Sequence, residues 1–384
     1  MILRLVLLFV TTTNAFAILY APQPLLPLLA REFGVSTAAA SLTISATVLA
    51  LAVASLLLAP LADRWERKRV IVASSVLVTV PSVFLGLTDS FAAVVALRFL
   101  QGLFIPGIAA TVMAYAAEEF PAAYKGRVFG TYVGATVAGG FLGRLIAGPI
   151  ADWVSWQAVF GVLAAFSVGV ALLVGAGLPP SSRHAAVRSH GGFRRHLRNS
   201  ALLGACLIGF SQFFAFIGFF TYLPFYASEP PFRLSPTQIS LLFATFALGV
   251  VSAPVAGFFS DRIGRRVTMA AGHLIGALGI LLTLHPSIGV LAAGCALLTV
   301  GNFASQSATT AYVTDAAAEA QGAASSLYLV FYYLGGSLGA WLPGLLWDAF
   351  RWPGVVALTV GTIAAALMAN AGLAGRGAKM RLSA

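Results

Sequence analysis

Charged residues are scarce in this sequence of 384 residues: Lys, Arg, Asp and Glu make up 9% of it, whereas hydrophobic residues make up 59%. A soluble domain has roughly a quarter of its residues charged, so the composition excludes a water-soluble globular protein. Intrinsic disorder is excluded as well, because a disordered chain is poor in apolar residues. Cysteine is nearly absent, and Cys206 and Cys295 both lie inside apolar runs, which excludes a disulfide framework and a cysteine-based metal site.

The sequence also lacks the groups that enzymes and ATP-driven pumps need. It has no glycine-rich phosphate-binding loop with its lysine, so the energy for any transport must come from a gradient. His, Asp and Glu do not cluster inside the long apolar runs, and all twelve acidic residues fall at or near their ends. The sequence therefore indicates no enzyme, no cofactor and no metal.

Long apolar runs recur along the whole chain. Each is long enough to cross a bilayer, which takes about 20 residues in a helix. Backbone groups in hydrocarbon must hydrogen-bond within their own segment, and the alternating pattern of a barrel is absent, so we predict helices. The predicted spans are residues 3–30, 36–60, 69–88, 91–116, 126–150, 154–178, 200–226, 236–258, 266–284, 287–312, 320–346 and 351–374. The predicted fold class is an all-α membrane protein with 12 transmembrane helices.

The basic residues are unevenly distributed between the predicted loops. With the amino terminus in the cytoplasm, 18 of the 23 Lys and Arg residues fall on the cytoplasmic side, and Arg31, Arg233 and Arg351 fall outside. Lys and Arg accumulate in cytoplasmic loops, so we predict that both termini are cytoplasmic. These charges anchor the protein in its partner, the lipid bilayer. They explain the net charge of +11 without nucleic acid.

The two halves of the sequence repeat each other. A shift of 196 residues superposes Gly139 on Gly335, Asp152 on Asp348 and Trp156 on Trp352. We therefore predict two six-helix bundles related by a pseudo-twofold axis along the membrane normal, an architecture of alternating access. The predicted domains are an N-terminal bundle at residues 1–178, a cytoplasmic linker at 179–199 and a C-terminal bundle at 200–384.

Short motifs carry a resemblance to a known family. The loop after span 8 nearly completes the pattern Gly-x-Leu-Ala-Asp-Arg-x-Gly-Arg-Lys, with Gly257, Asp261, Arg262, Gly264, Arg265 and Arg266. The loop after span 2 keeps Asp63, Arg64, Arg67 and Lys68, but has Glu66 in place of a glycine. Span 4 contains Arg98-x-x-Gln101-Gly102. On these motifs the chain resembles a major facilitator superfamily transporter over essentially its whole length.

One branch of that family is the most similar. Tyr20-Ala21-Pro22-Gln23-Pro24 in span 1 and Gly143-Arg144-Leu145-Ile146 in span 5 resemble the 12-helix drug and sugar efflux branch, the arabinose-efflux-permease-like proteins. In span 5, Thr136 stands where the pattern associated with antiporters has proline. The resemblance implies a location in the bacterial inner (plasma) membrane and an efflux function.

Charged residues at helix ends form a predicted cytoplasmic gate. Contacts that exist only while that side is closed bias a two-state equilibrium by about 1–3 kcal/mol. Glu118 and Glu119 end span 4 and are the predicted acid partners of Arg67 and Arg127. The simpler alternative is that these charges only anchor the topology. The predicted gate consists of Asp63, Arg64, Arg67, Lys68, Glu118, Glu119, Arg127, Asp261, Arg262, Arg265 and Arg266.

Arg98 and Arg144 are the basic residues predicted inside the spans. A charge at that depth is costly and indicates a function. Three hypotheses stay open at this point. Arg98 clamps backbone carbonyls of span 5, as its family motif implies; either arginine displaces a proton from a nearby acid; or either binds an anionic substrate.

Neutral polar residues near the middle of the membrane are the predicted substrate-binding residues. They are Asn14, Gln101, Tyr132, Thr136, Gln212, Asn302, Gln306 and Tyr332. The aromatic residues around Gln212 and Tyr332 suit an apolar or amphipathic solute better than a sugar, which needs denser hydrogen bonding. The simpler alternative is that many of these rings face lipid or the protein core.

The predicted function is secondary active transport by a monomer. The protein exports a small apolar or amphipathic organic molecule by alternating access, in antiport with protons. No carboxylate lies deep in a span, so the candidate proton carriers are Glu118, Glu119, Asp152 and Asp348. The alternative is an uptake carrier or facilitator for an organic anion, with Arg98 and Arg144 as counter-charges.

Overall fold

The computed structural model describes residues 2–57, 65–121, 124–181, 199–317 and 321–382. Every regular element within these ranges is an α-helix or a short 3-10 helix. The all-α prediction is therefore confirmed. Most of the predicted linker, residues 182–198, lies outside the described residues.

The chain divides into two compact units. Unit 1 comprises Met1–Val187, Ala227–Glu229 and Arg233–Ala244, and unit 2 comprises Arg188–Tyr226, Pro230–Phe232 and Thr245–Ala384. The segment from Arg233 to Ala244 thus groups with the first half of the sequence, which the sequence did not predict. The predicted domain boundaries at residues 178 and 200 stay a prediction.

The helices are numbered here in chain order. Unit 1 contains α1 (Ile2–Tyr20), α2 (Leu26–Phe33), α3 (Thr37–Leu57), α4 (Arg67–Leu85), α5 (Phe91–Glu119), α6 (Lys125–Trp153), α7 (Trp156–Gly177) and the short α9 (Pro236–Leu242). Unit 2 contains most of α8 (Ser200–Ser228), together with α10 (Ala247–Ile263), α11 (Arg265–Leu282), α12 (Ile288–Ala316) and α13 (Gln321–Leu382). Short 3-10 segments at Gln23–Leu25 and Phe243–Phe246 join α1 to α2 and α9 to α10.

Local sequence signals set several helix ends. The side chains of Ser90 and Ser155 accept hydrogen bonds from backbone N–H groups in the first turns of α5 and α7. Ser235 and Gln238 form a capping box at the start of α9. Gly34 ends α2 with a φ of 61°, a left-handed conformation that glycine adopts without steric cost.

Eleven stretches of the described residues are helical, long and apolar enough to cross a membrane. The last of them, Gly322–Gly372, contains the position where the sequence places the turn between spans 11 and 12. At that position Arg351 has φ 47° and ψ −142°, so the helix is interrupted between its two parts. The structure agrees with a multi-pass membrane protein, and the number of twelve crossings stays a prediction.

Glycines allow helices to pack backbone against backbone within each unit. In unit 1, a Cβ atom on Gly139 of α6 would overlap the carbonyl oxygen of Thr13 on α1. In unit 2, a Cβ atom on Gly335 of α13 would overlap the carbonyl oxygen of Phe210 on α8. Small residues are what let helices approach this closely in lipid, where tight packing stabilises their association.

The same contacts recur one turn further along each helix. Gly143 of α6 lies against the backbone of Ala17, and Gly339 of α13 lies against the backbone of Phe214. The sequence repeat that pairs these glycines therefore extends to the helix that each of them touches. Each unit uses one glycine-rich helix to pack on its own first long helix.

Candidate functional site

Arg98 on α5 is fully buried inside unit 1. Its Nε donates to the carbonyl oxygen of Thr43 at 3.0 Å, and its Nη1 and Nη2 donate to those of Ile18 at 2.8 Å and Leu19 at 2.6 Å. Nη1 also donates to Oε1 of Gln101 at 2.6 Å. The contacts match the clamp hypothesis with one correction: the carbonyls belong to α1 and α3, not to the fifth span.

The end of α1 explains why an arginine is needed at this position. In a regular helix the carbonyl of Ile18 would accept from the N–H group four residues later, but that residue is Pro22, which has none. A buried carbonyl without a donor costs about 1–3 kcal/mol, and hydrocarbon offers no water to replace the donor. Arg98 therefore supplies a hydrogen bond that the proline removes.

Gln101 and Asn14, two predicted substrate-binding residues, are fully buried in unit 1. Nε2 of Gln101 donates to Oγ of Ser82 on α4 at 2.7 Å. Nδ2 of Asn14 donates to Oγ of Ser167 on α7 at 2.9 Å. Both amides thus link helices of the same unit, and their contact with a substrate stays a prediction.

Arg144 on α6 is 1% exposed and lies among polar and aromatic groups of unit 1. Its Nε donates to Oε1 of Gln23 at 2.6 Å, and its Nη1 donates to the carbonyl oxygen of Gly140 at 2.6 Å. The guanidinium carbon lies 4.2 Å from the ring centre of Tyr20 and 5.3 Å from that of Phe243. A cation against aromatic faces is stabilised by the negative charge of the ring face. The protein thus supports this charge without a carboxylate among these contacts.

Tyr132 and Thr136 are half-buried on α6. Oγ1 of Thr136 donates to the carbonyl oxygen of Val133 at 2.7 Å, within its own helix. Tyr132 lines a small apolar cleft together with Leu5 and Phe9 of α1. Of the predicted substrate-binding residues in unit 1, these two are the ones that are not fully buried.

In unit 2, Gln212 and Asn302 lie together. Nε2 of Gln212 on α8 donates to the backbone oxygen of Asn302 on α12 at 2.8 Å, with Oδ1 of the same residue at 3.3 Å. Oε1 of Gln212 is buried and has no hydrogen-bond partner among the described residues. Gln306 is half-buried one turn further along α12.

Tyr332 of α13 belongs to an aromatic cluster in the same unit. Its ring stacks on that of Phe213, which follows Gln212 on α8, with the ring centres 3.9 Å apart and the planes at 14°. Tyr328 and Tyr333 lie within 5.8 Å of Tyr332 by ring centre. Three of the predicted substrate-binding residues of unit 2 are thus neutral amides on α8 and α12, and the fourth is a tyrosine of the aromatic cluster.

At the helix ends of unit 1, Arg67 of α4 pairs with Glu118 of α5. Nε and Nη2 of Arg67 donate to Oε1 of Glu118 at 3.2 and 3.0 Å, and the two side chains are 6% and 12% exposed. Lys68 and Glu119 are half-buried nearby in sequence, and Arg127 is exposed. The pair joins the start of α4 to the end of α5.

Unit 2 contains a similar pair between a helix start and a helix end, in a more exposed form, although the sequence repeat aligns Asp315 with Glu119 rather than with Glu118. Nε of Arg265 at the start of α11 donates to Oδ2 of Asp315 near the end of α12 at 3.1 Å, and its Nη1 donates to Oδ1 of Asp261. The side chains of Arg265 and Asp315 are 28% and 59% exposed. The two halves therefore contain a similar contact but differ in its burial.

The remaining predicted gate residues have separate surroundings. The guanidinium carbon of Arg262 lies 4.1 Å from the ring centre of Phe258 on the same helix. Nη2 of Arg266 donates to the backbone oxygen of Asn370 at 2.8 Å, and Nδ2 of Asn370 donates back to the carbonyl oxygen of Arg266 at 2.8 Å. Two predicted gate residues lie outside the described residues: Asp63 and Arg64.

Glu66 is a structural residue that the sequence-based prediction missed. Its carboxylate accepts from the backbone N–H groups of Lys68 at 2.9 Å and Arg69 at 3.1 Å, which caps α4. It also accepts from the backbone N–H group of Ser181, beyond the end of α7, at 2.9 Å. The signal for this role was the acid standing immediately before an apolar run, where the family motif has glycine.

We expect the two ion pairs to differ in their contribution to stability. Glu118→Ala removes the carboxylate from a buried guanidinium, which we expect to cost about 3 kcal/mol. Asp315→Ala removes one carboxylate from an exposed pair, which we expect to cost less than about 1 kcal/mol. Thermal unfolding of the purified variants in detergent measures the difference. Equal losses from both variants would contradict this assignment.

Glu66 makes the stability depend on pH in a defined direction. Partial burial raises the pKa of Glu66, but hydrogen bonds from the backbone N–H groups of Ser181, Lys68 and Arg69, with the charge of Arg69, outweigh it and lower the pKa below its ordinary value. A carboxylate with a lowered pKa stabilises the fold above its unfolded pKa. That contribution disappears as the pH falls through the folded pKa.

We therefore expect Glu66→Gln to destabilise the protein at neutral pH by about 1 kcal/mol, as for the loss of a helix cap. The difference from the parent protein is expected to shrink as the pH falls below the ordinary pKa of a glutamate and then through the lowered pKa of Glu66 in the folded protein, because Glu66 then becomes protonated in both states. Unfolding in detergent between about pH 3 and pH 7 measures it. Glu32→Gln, at an exposed position, is the control. A difference that does not change with pH refutes this origin of the stability.

Comparison with known proteins gives one family. A family model described as Major Facilitator Superfamily matches residues 7–232 and 229–376. The chain is 32% identical to the uncharacterized MFS-type transporter YybF of Bacillus subtilis (strain 168), over 97% of this chain and 93% of that protein. It is also 32% identical to the inner membrane transport protein YnfM of Escherichia coli (strain K12), over 92% of this chain and 88% of that protein.

A solved structure shows the same fold. The crystal structure of a bacterial homolog to the human lysosomal transporter Spinster, in an inward-facing and occupied conformation, matches with a TM-score of 0.80 and 18% identity. The match covers 96% of this chain and 95% of that one. The resemblance seen in the sequence motifs is confirmed, and the relatives are named as transporters, not as enzymes. This chain is a multi-pass membrane transporter that belongs to the Major Facilitator Superfamily.

Proposed function

We propose that this transporter exports a small apolar or amphipathic organic molecule by alternating access, in antiport with protons. It acts as a monomer in the bacterial inner membrane, with both termini in the cytoplasm. The two six-helix bundles are at residues 1–178 and 200–384, and the cytoplasmic linker is at 179–199. The relative YnfM, named an inner membrane transport protein, supports the location, and the basic loops support the orientation.

The proposed substrate class rests on the contacts of the two embedded arginines, Arg98 and Arg144. Arg98 donates hydrogen bonds to oxygens of Thr43, Ile18, Leu19 and Gln101, and Arg144 donates to Gln23 and Gly140 and lies against the rings of Tyr20 and Phe243. Guanidinium groups engaged in this way hold helices and loops in place. An anionic substrate would have to displace those contacts, which favours a substrate without a carboxylate or phosphate.

The aromatic cluster of unit 2 supports the same conclusion. The stacked rings of Phe213 and Tyr332 form a flat apolar surface, and Gln212, which precedes Phe213 on α8, carries a buried oxygen with no partner among the described residues. A planar apolar molecule with one hydrogen-bond donor complements such a surface. The proposed substrate-binding residues are Asn14, Gln101, Tyr132, Thr136, Gln212, Asn302, Gln306 and Tyr332.

The charged helix ends are proposed to act as the cytoplasmic gate. Arg67 with Glu118, and Arg265 with Asp315, each tie the start of one helix to the end of a neighbouring helix. Contacts of about 1–3 kcal/mol bias a two-state equilibrium when they form in one state alone. The full proposed set is Asp63, Arg64, Arg67, Lys68, Glu118, Glu119, Arg127, Asp261, Arg262, Arg265 and Arg266.

Transport into and out of proteoliposomes tests the proposal. The vesicles are loaded with a panel of fluorescent aromatic compounds that are neutral, cationic or anionic, and a pH gradient is imposed. We expect neutral or cationic members to accumulate on the acidic side and to lose this accumulation when a protonophore is added. Protein-free vesicles are the control. A flux that ignores the pH gradient would remove proton coupling, and a flux of anions alone would overturn the substrate class.

The organic-anion carrier is the competing function. It requires that Arg98 or Arg144 confers selectivity for negative charge. Gln in place of Arg144 keeps a hydrogen-bond donor and removes the charge. If Arg144→Gln abolishes the flux of anions and leaves the flux of neutral compounds unchanged, the anion carrier replaces the exporter.

A further inference from the structure

Asp152, at the end of α6, holds the start of α9. Its Oδ2 accepts from Oγ of Ser235 at 3.0 Å and from the backbone N–H group of Thr237 at 2.8 Å, and the hydroxyl of Thr237 donates to the same oxygen. An ionised carboxylate makes stronger hydrogen bonds than a neutral acceptor. It is also favoured at the amino terminus of a helix. Asp152 thus fastens the first turn of α9 to the last turn of α6.

A second contact lies one turn away. Oγ of Ser240 accepts from the backbone N–H group of Gly148 at 3.1 Å, in a buried position. A Cβ atom on Gly148 would overlap the carbonyl oxygen of Pro236 and Oγ of Ser240. The two helices therefore touch through their backbones, and only glycine at position 148 permits it.

The path of the chain makes this contact significant. Residues Arg233–Ala244, which include α9, belong to unit 1, whereas the chain from Thr245 onward belongs to unit 2. The chain changes from unit 1 to unit 2 inside the 3-10 segment Phe243–Phe246, where the α-helical hydrogen bonding between α9 and α10 is interrupted. Short 3-10 stretches inside a helix often mark hinges. The start of this helix is thus fastened to one unit and its continuation is part of the other.

We infer that Asp152, Gly148 and Ser240 are positioning residues for transport: they form an outer latch that holds α9 on α6 in one state and releases it in the other. On the proposed topology this end of the helices faces the outside of the cell. In alternating access, contacts that close one side must break before that side opens. The inference rests on the proposed function, and it assigns to these three residues the closing of the transporter's outer side.

Cysteine labelling in the full-length protein tests the latch. Ile239 on α9 is 1% exposed, so a cysteine introduced there as Ile239→Cys reports release of α9 to a membrane-impermeant maleimide. The native Cys206 and Cys295 are buried in unit 2 and report general unfolding in the same sample. Mass spectrometry of the peptides separates the three positions.

We expect Asp152→Ala to raise the labelling rate at position 239 by about tenfold or more, because it removes hydrogen bonds to a charged group. Gly148→Ala is expected to act in the same direction. Gly134→Ala is the matched control, because a Cβ atom there meets nothing within 4 Å, and it should leave the rate unchanged. Asp152→Glu keeps the charge and should recover part of the protection.

Two outcomes would overturn the latch. One is a labelling rate at position 239 that is the same in Asp152→Ala, Gly148→Ala and the parent. The other is labelling of Cys206 and Cys295 together with position 239, which would show that these contacts hold the fold rather than one state of it. The assay needs no transport, so a chain that moves none of the tested compounds still reports on the latch, and the failure of one proposal is distinguishable from the failure of the other.

Discussion

Arg98→Ala is expected to destabilise the transporter by at least about 1–3 kcal/mol, because it leaves the buried carbonyl of Ile18 at the end of α1 without a donor and also removes the hydrogen bonds to Leu19, Thr43 and Gln101. The carbonyl of Ile18 has no helical donor, because Pro22 follows four residues later. The carbonyl of Leu19 lies in the last turn of α1 and accepts from Nη2 of Arg98. Heating the purified protein in detergent and measuring the monodisperse fraction gives the loss.

The conservative variant sharpens this test. Arg98→Lys keeps a positive charge but replaces the planar fork by a compact ammonium group, which cannot serve carbonyls of α1 and α3 with the same geometry. We expect its stability to lie between those of the parent and Arg98→Ala. Arg127→Ala, at an exposed position, is the control and should change stability by less than about 0.5 kcal/mol. If Arg98→Ala behaves like Arg127→Ala, the clamp contributes nothing measurable.

For Arg98, the sequence predicted the burial of the charge but not its hydrogen-bond partners. That Arg98 lies deep in a span and needs partners follows from hydropathy alone, because a charge in hydrocarbon is costly. Which carbonyls it meets depends on how α1, α3 and α5 pack, and local patterns do not specify this. The family motif indicated carbonyls of the fifth span, whereas the actual acceptors lie on the first and second spans. The proline that creates one of those acceptors was present in the sequence, and its position four residues after Ile18 was the available signal.

Composition and the length of the apolar runs predicted the helices well, because a membrane span is a local property of about 20 residues. Between the spans at 320–346 and 351–374 the sequence predicted a short turn, whereas the structure interrupts the helix at a single residue, Arg351, which has a positive φ. The position of α9 was beyond prediction. Hydropathy assigns residues 236–258 to one continuous span. In the structure, tertiary contacts group the first turns of this span with unit 1, and a 3-10 segment at Phe243–Phe246 interrupts its α-helix.

In the candidate site, the partners of the ion pairs could be predicted from the sequence, but the burial of those pairs could not. The pairing of Arg67 with Glu118 follows from opposite charges at neighbouring helix ends. The difference in burial between this pair and that of Arg265 with Asp315 depends on packing, and no sequence rule gives it. Glu66 was the reverse case: a single departure from the family motif turns out to cap α4 and to bind the backbone of Ser181.

Adding one methyl group at Gly139 or Gly335 is expected to be as damaging as the loss of Arg98, although it removes no interaction. A Cβ atom at either position would overlap a backbone carbonyl oxygen, on Thr13 of α1 or on Phe210 of α8. Backbone cannot move aside as a flexible side chain can, so the two helices must separate. We expect Gly139→Ala and Gly335→Ala each to cost about 3 kcal/mol or more, at the upper end of the range for overpacking.

The chain provides its own controls for this experiment. Gly134 on α6 and Gly361 on α13 have nothing within 4 Å of an added Cβ atom. Alanine at these two positions should be neutral, or stabilising by up to about 1 kcal/mol through its higher helix propensity. The four variants thus make the same chemical change in the same two helices and differ only in what the new methyl group meets. Similar stability of all four would show that α1 with α6, and α8 with α13, are not held by close backbone contact. A loss confined to Gly139→Ala and Gly335→Ala would show that the sequence repeat is a repeat of packing, because the same glycine performs the same task in each unit.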